Sequence, residues 1–294
     1  MKIAIISDSC ADLTDEECKF FDIDIFPMLI FFGEKKYSDG ITITPEELYK
    51  RFGQEEELPF PSQAPPKEIM NAYQRAKDKG YKEFLVITIS SQLSATYKSA
   101  IQLTNQFPEI KIRVFDSKNV SSAEGFMVLL AAVLSKRGYS LDEIINQIEI
   151  LRDNINIYFT VENLENLKRL GRLSGSQYRL AKTFKVVPIL GVNKEGKLVT
   201  ISKVKSREDA FFKLNQYAIK NLDTRNPKIF TINHGNRPEI AERMFKDFKK
   251  RNPNSMGKIG WVGAAIGVHT GPGVIVCTVF EDKWNLAKEL LFLK

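Results

Sequence analysis

The chain has 294 residues, 43% of them hydrophobic and 27% charged, the composition of a globular protein long enough for two cores rather than of a disordered chain. Lysine and arginine outnumber aspartate and glutamate, 43 to 36, for a formal charge of +7; the basic residues are scattered among acidic ones, which argues against nucleic acid and suits an acidic partner or an anionic ligand. No apolar run approaches the ~20 residues of a membrane span, MKIAIISDS is too short for a secretory segment, and three cysteines without a CxxC pair or a histidine cluster fit neither a zinc site nor a disulfide scaffold. The expected setting is a reducing cytoplasm.

The first predicted element is the strand KIAIIS (2–7), followed by SDSCADLT with Asp8 and Asp12. Two aspartates after a strand could hold magnesium, but Asx turns and helix caps use the same residues, and that second reading is preferred. Helix starts follow at Thr14/Glu17 and Thr44/Glu47, both with capping-box spacing, and Pro45 stands at the favoured first-turn position. The proline-rich loop PFPSQAPPKEI (59–69) leads into a helix with Ser62 just ahead of it. Strands FLVITI (84–89) and IRVFDS (112–117) complete a set of continuous apolar runs, each followed by a turn and a helix. Such runs predict a largely parallel sheet covered on both faces. Ser121/Glu124 and Ser140/Glu143 are two further capping boxes, and EGFMVLLAAVLSK reads as a helix buried all round.

A second α/β unit with a mixed sheet is predicted from residue 156, so the expected domains are 1–155 and 156–294. Its strands are IYFTV, then VVPILGV and KLVTIS as a hairpin around NKEGK, then KIFTIN, KIGWVG and VIVCTVF. KDFKKR (246–251) closes an amphipathic helix, where cations complement the carbonyl ends.

Chemistry can be sought at few places. TISSQLSATYKSA (88–100) crowds Ser90, Ser91, Ser94 and Thr96 at a strand-to-helix turn, where free amides and hydroxyls suit an anion; the competing reading is that Ser94 only caps its helix. In LKRLGRLSG (167–175), Gly171 stops a helix and Arg172 follows, either to satisfy the last carbonyls or to fork onto a carboxylate or phosphate. The two histidines, His234 in TINHGN and His269 in GVHTGPGVIV, both read as loop residues beside strands, and local pattern does not separate them. The chain carries no GxGxxG after a strand, no GxxxxGK[ST], no HExxH and no GxSxG. It does not read as a self-contained kinase or dehydrogenase, and no cofactor is implied.

SDSCADL, PSQAPP, TISSQLSATYKSA, VFDSKNVSSAEG, LENLKRLGRLSG and GVHTGPG stand in the order and at the spacing of the DegV family, which the chain resembles over nearly its whole length. The resemblance implies a two-domain α/β fold holding one long-chain fatty acid, palmitate- or oleate-like, in a buried tunnel at the junction. It implies a carrier rather than an enzyme: the fatty-acid-binding subunit of a fatty-acid kinase, presenting the carboxylate to a separate ATP-binding subunit that makes acyl phosphate for phospholipid synthesis. Transient contact with a membrane is compatible with that role. Ser62 and Ser94, with Ser91 and Thr96 beside the latter, match the loops that hold the carboxylate. Arg172 and His269 match the arginine and histidine that assist phosphoryl transfer. The chain departs from the family at Pro61, Ala64, Ala95 and Cys10, where threonine, proline, glycine and threonine or serine are usual; Pro61 removes a hydroxyl from the first loop. Competing readings are a stand-alone serine/histidine hydrolase using His269 and a regulatory binding module favoured by the basic charge.

Overall fold

The computed structural model describes residues 3–54, 57–173, 186–220, 222–223 and 226–290. In chain order its first half contains β1 (Ala4–Asp8), a 3-10 turn (Ser9–Ala11), α1 (Asp15–Phe21), β2 (Ile23–Phe26), β3 (Leu29–Phe32), β4 (Lys35–Ser38) and α2 (Pro45–Arg51). There follow β5 (Phe60–Ser62), α3 (Pro66–Asp78), β6 (Glu83–Thr88), α4 (Thr96–Thr104), β7 (Lys111–Asp116), α5 (Ser122–Lys136) and α6 (Leu141–Asn154). Four strands form a parallel sheet in the order β2-β1-β6-β7. Every residue of β1 is buried, as its unbroken apolar run requires. β7 lies at the edge and leaves Lys111 and Arg113 in solvent, so only part of IRVFDS is core.

Sequence patterning misses two features of this half. β2 adds a fourth parallel strand, and β3, β4 and β5 form a separate antiparallel sheet in the order β4-β3-β5. Pro27 divides the stretch FDIDIFPMLIFF into two short strands belonging to different sheets.

The predicted capping boxes at Thr14/Glu17 and Ser140/Glu143 are present, and Thr44 accepts the Glu47 amide with Pro45 in the first turn. The box at Ser121/Glu124 is not. Ser121 has φ 60 and ψ −148 and makes no side-chain cap; its hydroxyl donates to Asp12 at 2.5 Å. Glu124 turns inward and accepts from the Ser7 hydroxyl at 3.3 Å. The spacing suits a cap, but α5 starts inside the protein, where both side chains find buried partners.

The second half contains β8 (Asn156–Thr160), α7 (Glu165–Arg169), β9 (Val187–Val192), β10 (Leu198–Val204), α8 (Arg207–Ala218) and β11 (Lys228–His234). It continues with α9 (Pro238–Arg251), β12 (Met256–Trp261), α10 (Ala264–Thr270), β13 (Ile275–Glu281) and α11 (Leu286–Leu290). Its strands make one mixed sheet in the order β10-β9-β8-β13-β11-β12, in which β11 and β12 are parallel and the other pairs antiparallel. β9 and β10 form the expected hairpin.

Helix α5 joins the halves. All its residues from Ser122 to Ser135 are buried, because it packs on β1 and β6 on one side and β13 on the other. Gly125 permits this: a Cβ there would stand 2.3 Å from the Ala11 carbonyl oxygen of the 3-10 turn. Phe126 meets Phe280 edge-on at 4.9 Å. The Ser122 hydroxyl donates to Thr278 at 2.8 Å and accepts from Thr231 at 2.9 Å, so the polar groups of this contact are satisfied. Each large apolar side chain so buried contributes about 1.5–3 kcal/mol. Among the described residues no helix is long and apolar enough to cross a membrane.

Candidate functional site

Ser62 ends β5, where pairing with Leu29 fixes its direction. Ser94 stands two residues before α4; its Oγ accepts the Thr96 amide at 3.3 Å and shares a hydrogen bond with Thr96 Oγ1 at 2.9 Å. Arg172 follows Gly171, whose φ of +69 ends the α7 segment. Its Nη1 donates to the Leu170 carbonyl at 2.8 Å and its Nε to the Leu93 carbonyl at 2.7 Å. The arginine therefore satisfies a carbonyl at the end of its own helix and also grips the loop that carries Ser94. Ser174 and Gly175 of the same motif lie outside the described residues.

Neither histidine is a loop residue. His269 occupies the last turn of α10, and His234 is the last residue of β11. Glycines on both sides of His269 suggest a turn, but Gly267 lies within the helix and only Gly271, φ +70, ends it. His234 Nδ1 accepts the Arg237 amide at 3.4 Å and its ring packs 4.5 Å from Trp261, a structural setting.

Ser62, Ser94, Arg172 and His269 line a single cavity between the two halves. It holds about 850 Å³ of atom-free space, its opening included, yet the centre of a water molecule ranges over only about 120 Å³ of it. The space is narrow, and most of its wall is apolar: Met28, Ile89, Ile157, Phe159, Leu198 and Val276. Ser91 and Thr96, also expected on the carboxylate, are not in the lining. The Ser91 amide donates to Asp116 at 3.1 Å, and the fully buried Thr96 turns its hydroxyl to Ser94 and, at 3.7 Å, to the Met28 sulfur. Thr96 holds Ser94 in place rather than facing the cavity. Pro61 and Cys10 are in the wall; burial, reinforced by Asp8, pushes the Cys10 thiol well above its ordinary range, leaving a neutral contact.

Burial, then the neighbouring Arg172 and Arg169, push the His269 imidazole down to about 3. It is neutral at physiological pH, and its buried Nδ1 has no hydrogen-bond partner among the described residues. Burial also lowers Arg172, which remains a cation. Two hydroxyls, a guanidinium and a neutral imidazole suit a carboxylate or phosphoryl oxygen. They do not form a nucleophile–base pair through Nδ1, because no serine bonds that atom among the described residues.

Asp8 and Asp12 serve the backbone, as preferred from sequence. Asp8 accepts the Cys10 and Ile89 amides at 3.0 and 2.9 Å, and Asp12 accepts the Gly263 amide at 2.9 Å. Among the described residues no group of three or more His, Cys, Asp or Glu could hold a metal ion.

The profile described as "Uncharacterised protein, DegV family" matches residues 2–282. The chain belongs to the DegV family. A DegV domain-containing protein of Clostridium perfringens is 32% identical over 282 residues, 96% of this chain and 99% of that one. Bacillus subtilis DegV, described as a fatty acid binding protein, has a crystal structure similar at TM-score 0.89 and 29% identity, covering 96% of this chain and all 100% of its own. A Thermus thermophilus DegV family protein, described for its fatty acid binding, is similar at TM-score 0.85 and 26% identity with the same coverage of both chains.

Sequence reasoning misses the apolar wall of this DegV cavity. Val276 and Phe159 are cross-strand neighbours on β13 and β8, and both line the void. Strand periodicity says that such a face is apolar; it does not say that the layer opposite leaves the face unfilled.

Proposed function

We propose that this DegV protein binds one long-chain fatty acid in the junction cavity and presents its carboxylate to a separate ATP-binding kinase subunit for acyl-phosphate formation. The observation that carries the reading is the convergence of Ser62, Ser94, Arg172 and His269 on one narrow, otherwise apolar cavity. Burial of about fourteen methylenes contributes on the order of 11 kcal/mol at ~0.8 each, before ordering costs. The carboxylate keeps that gain only if it is hydrogen-bonded. Ser62 and Ser94 come from the proposed first domain, residues 1–155, and Arg172 and His269 from the proposed second, 156–294, so the head group would bridge the two. The fatty-acid binding described for the Bacillus subtilis and Thermus thermophilus relatives supports the same ligand class. The missing nucleotide loop follows if ATP belongs to the partner.

Native mass spectrometry of the purified protein tests the ligand. One bound fatty acid per chain is the expected result; a lipid-free protein that also takes up neither palmitate nor oleate would sink the proposal. Acyl phosphate should form only when an ATP-binding kinase subunit is added, and esterase turnover by the chain alone would favour the hydrolase reading instead.

A further inference from the structure

Helix α10 carries His269 and also lends Ala265, Ile266 and Thr270 to the cavity wall. Its own sequence gives it no start. Gly263 occupies the N-cap and no side chain of its own segment caps it, although the first amides of any helix lack partners within it. The first half supplies what is missing. Asp12 Oδ1 accepts the Gly263 amide at 2.9 Å, and Asp39 Oδ1 accepts the Ala264 amide at 3.2 Å, contacts that span 251 and 225 residues of chain. Asp12 is itself held, since its other oxygen takes the Ser121 hydroxyl at 2.5 Å, and Ser121 is a cavity-lining residue. Both members of that pair have positive φ, 51 at Asp12 and 60 at Ser121, a conformation that persists only where surrounding contacts enforce it.

The flank of the helix is clamped as well. Tyr49 of α2 donates its hydroxyl to the Val262 carbonyl at 3.1 Å. A Cβ on Gly267 would lie 2.6 Å from Leu48 and 2.7 Å from the Tyr49 hydroxyl, so the helix lies directly on α2. All these ties come from the first half of the chain; Tyr49 also reaches the Thr270 side chain at the His269 end of the helix.

We propose that Asp12 and Asp39 are positioning residues: they cap α10 from across the junction and so set where His269 stands in the cavity. Neither touches the proposed ligand. Asp12 also connects the wall to the histidine, through Ser121 on one oxygen and Gly263 on the other. Only the binding readout below rests on the fatty-acid reading.

The test uses the full-length protein loaded with radiolabelled oleate, together with NMR of the His269 ring. Asp12→Ala is expected to shift the His269 ring resonances and to speed oleate release about tenfold, as loss of a helix cap would. Asp12→Asn keeps an acceptor for Gly263 and a polar partner for Ser121, and should restore both readouts. Tyr49→Phe, which removes one hydroxyl from the clamp, should move the same resonances and speed release about threefold. The inference is overturned if Asp12→Ala leaves the ring resonances unchanged, or if Asp12→Asn behaves like Asp12→Ala. Should Asp12→Ala fail to fold, unchanged resonances in Asp39→Ala, which removes the acceptor for the Ala264 amide, overturn it. If the wild-type protein takes up no oleate, the proposed function fails, while the His269 resonances still decide the role of Asp12.

Discussion

Two spaces that differ in their charged groups lie between the halves of the chain. One is the narrow, mostly apolar cavity with Arg172 and His269 in its wall. The other, a wider cleft between the same halves, also has a largely apolar wall, but its polar residues include Asp8, Asp12 and Asp39, with Thr44, Asn233 and Lys258. Burial disfavours charge in both, but shifts the acids and the base in opposite directions. It drives His269 down to about 3, and it drives Asp12 up to about 7 and Asp8 and Asp39 to about 6. The first space therefore keeps a cationic guanidinium beside a neutral base, whereas the second collects carboxyl groups that hold backbone amides. An anion is favoured beside the guanidinium and disfavoured beside the carboxyl groups, so the electrostatics of the junction, and not only its shape, would select the side on which the carboxylate of the proposed ligand sits.

The largest effect expected from this contrast is on phosphoryl transfer. With kinase subunit and ATP present, Arg172→Ala and His269→Ala should lower acyl-phosphate formation by roughly 10²–10³-fold, the usual consequence of losing a charge-stabilising donor. Fatty-acid retention should fall less than about tenfold, because the tail supplies most of the affinity. Rates of acyl-phosphate formation measured beside lipid content decide the matter. Complete lipid loss from both folded variants would show that the polar side of the cavity anchors the ligand rather than activates it.

The acid-lined side should appear in the pH dependence of stability. Burial raises Asp12 to about 7 despite the Ser121 and Gly263 hydrogen bonds, which act in the other direction. The folded state then holds a proton that the unfolded chain, with an ordinary carboxyl near 3.8, has released. Stability from this group is complete below about pH 4 and is lost as pH rises through about 7. Asp12→Asn does not titrate. Its stability relative to wild type should rise by about 2–3 kcal/mol from pH 5 to pH 8, read from denaturant midpoints. A constant difference across that range would mean that Asp12 is not the buried, proton-holding group described here.

Much of this contrast is legible in the sequence, though unevenly. The runs of β1 and β6, the buried α5 and the β9–β10 hairpin follow from local pattern, because burial on both faces or a tight turn leaves a local trace. Ser62, Ser94, Arg172 and His269 stand out only through the ordered motifs, since their meeting depends on strands and helices far apart in the chain. Ser121 and Glu124 show the limit from the other side: their capping spacing is correct, but a helix that begins inside the core gives those side chains other partners. Asp39 carries no signal at all, because its role as a cap for α10 is set 225 residues away.

The smallest expected effect is the most direct check of which side the head group occupies. In the protein without ligand, His269 titrates near 3 because burial, Arg172 and Arg169 all disfavour its cation. A carboxylate brought beside it would favour the cation and partly offset the two guanidiniums. Its pKa should rise by about one to two units on oleate binding, equivalent to roughly 1.4–2.7 kcal/mol of favourable interaction with the charged ring. The imidazole would still be neutral at pH 7, able to donate one N–H to a carboxylate or phosphoryl oxygen. NMR titration of the His269 ring with and without oleate reads the shift, and His234, packed against Trp261 outside the cavity, serves as the internal control. A rise at His269 alone puts the carboxylate in the cavity that Arg172 and His269 line. No rise, with oleate bound, would place the head group away from His269 and remove the physical basis for giving that residue a part in phosphoryl transfer.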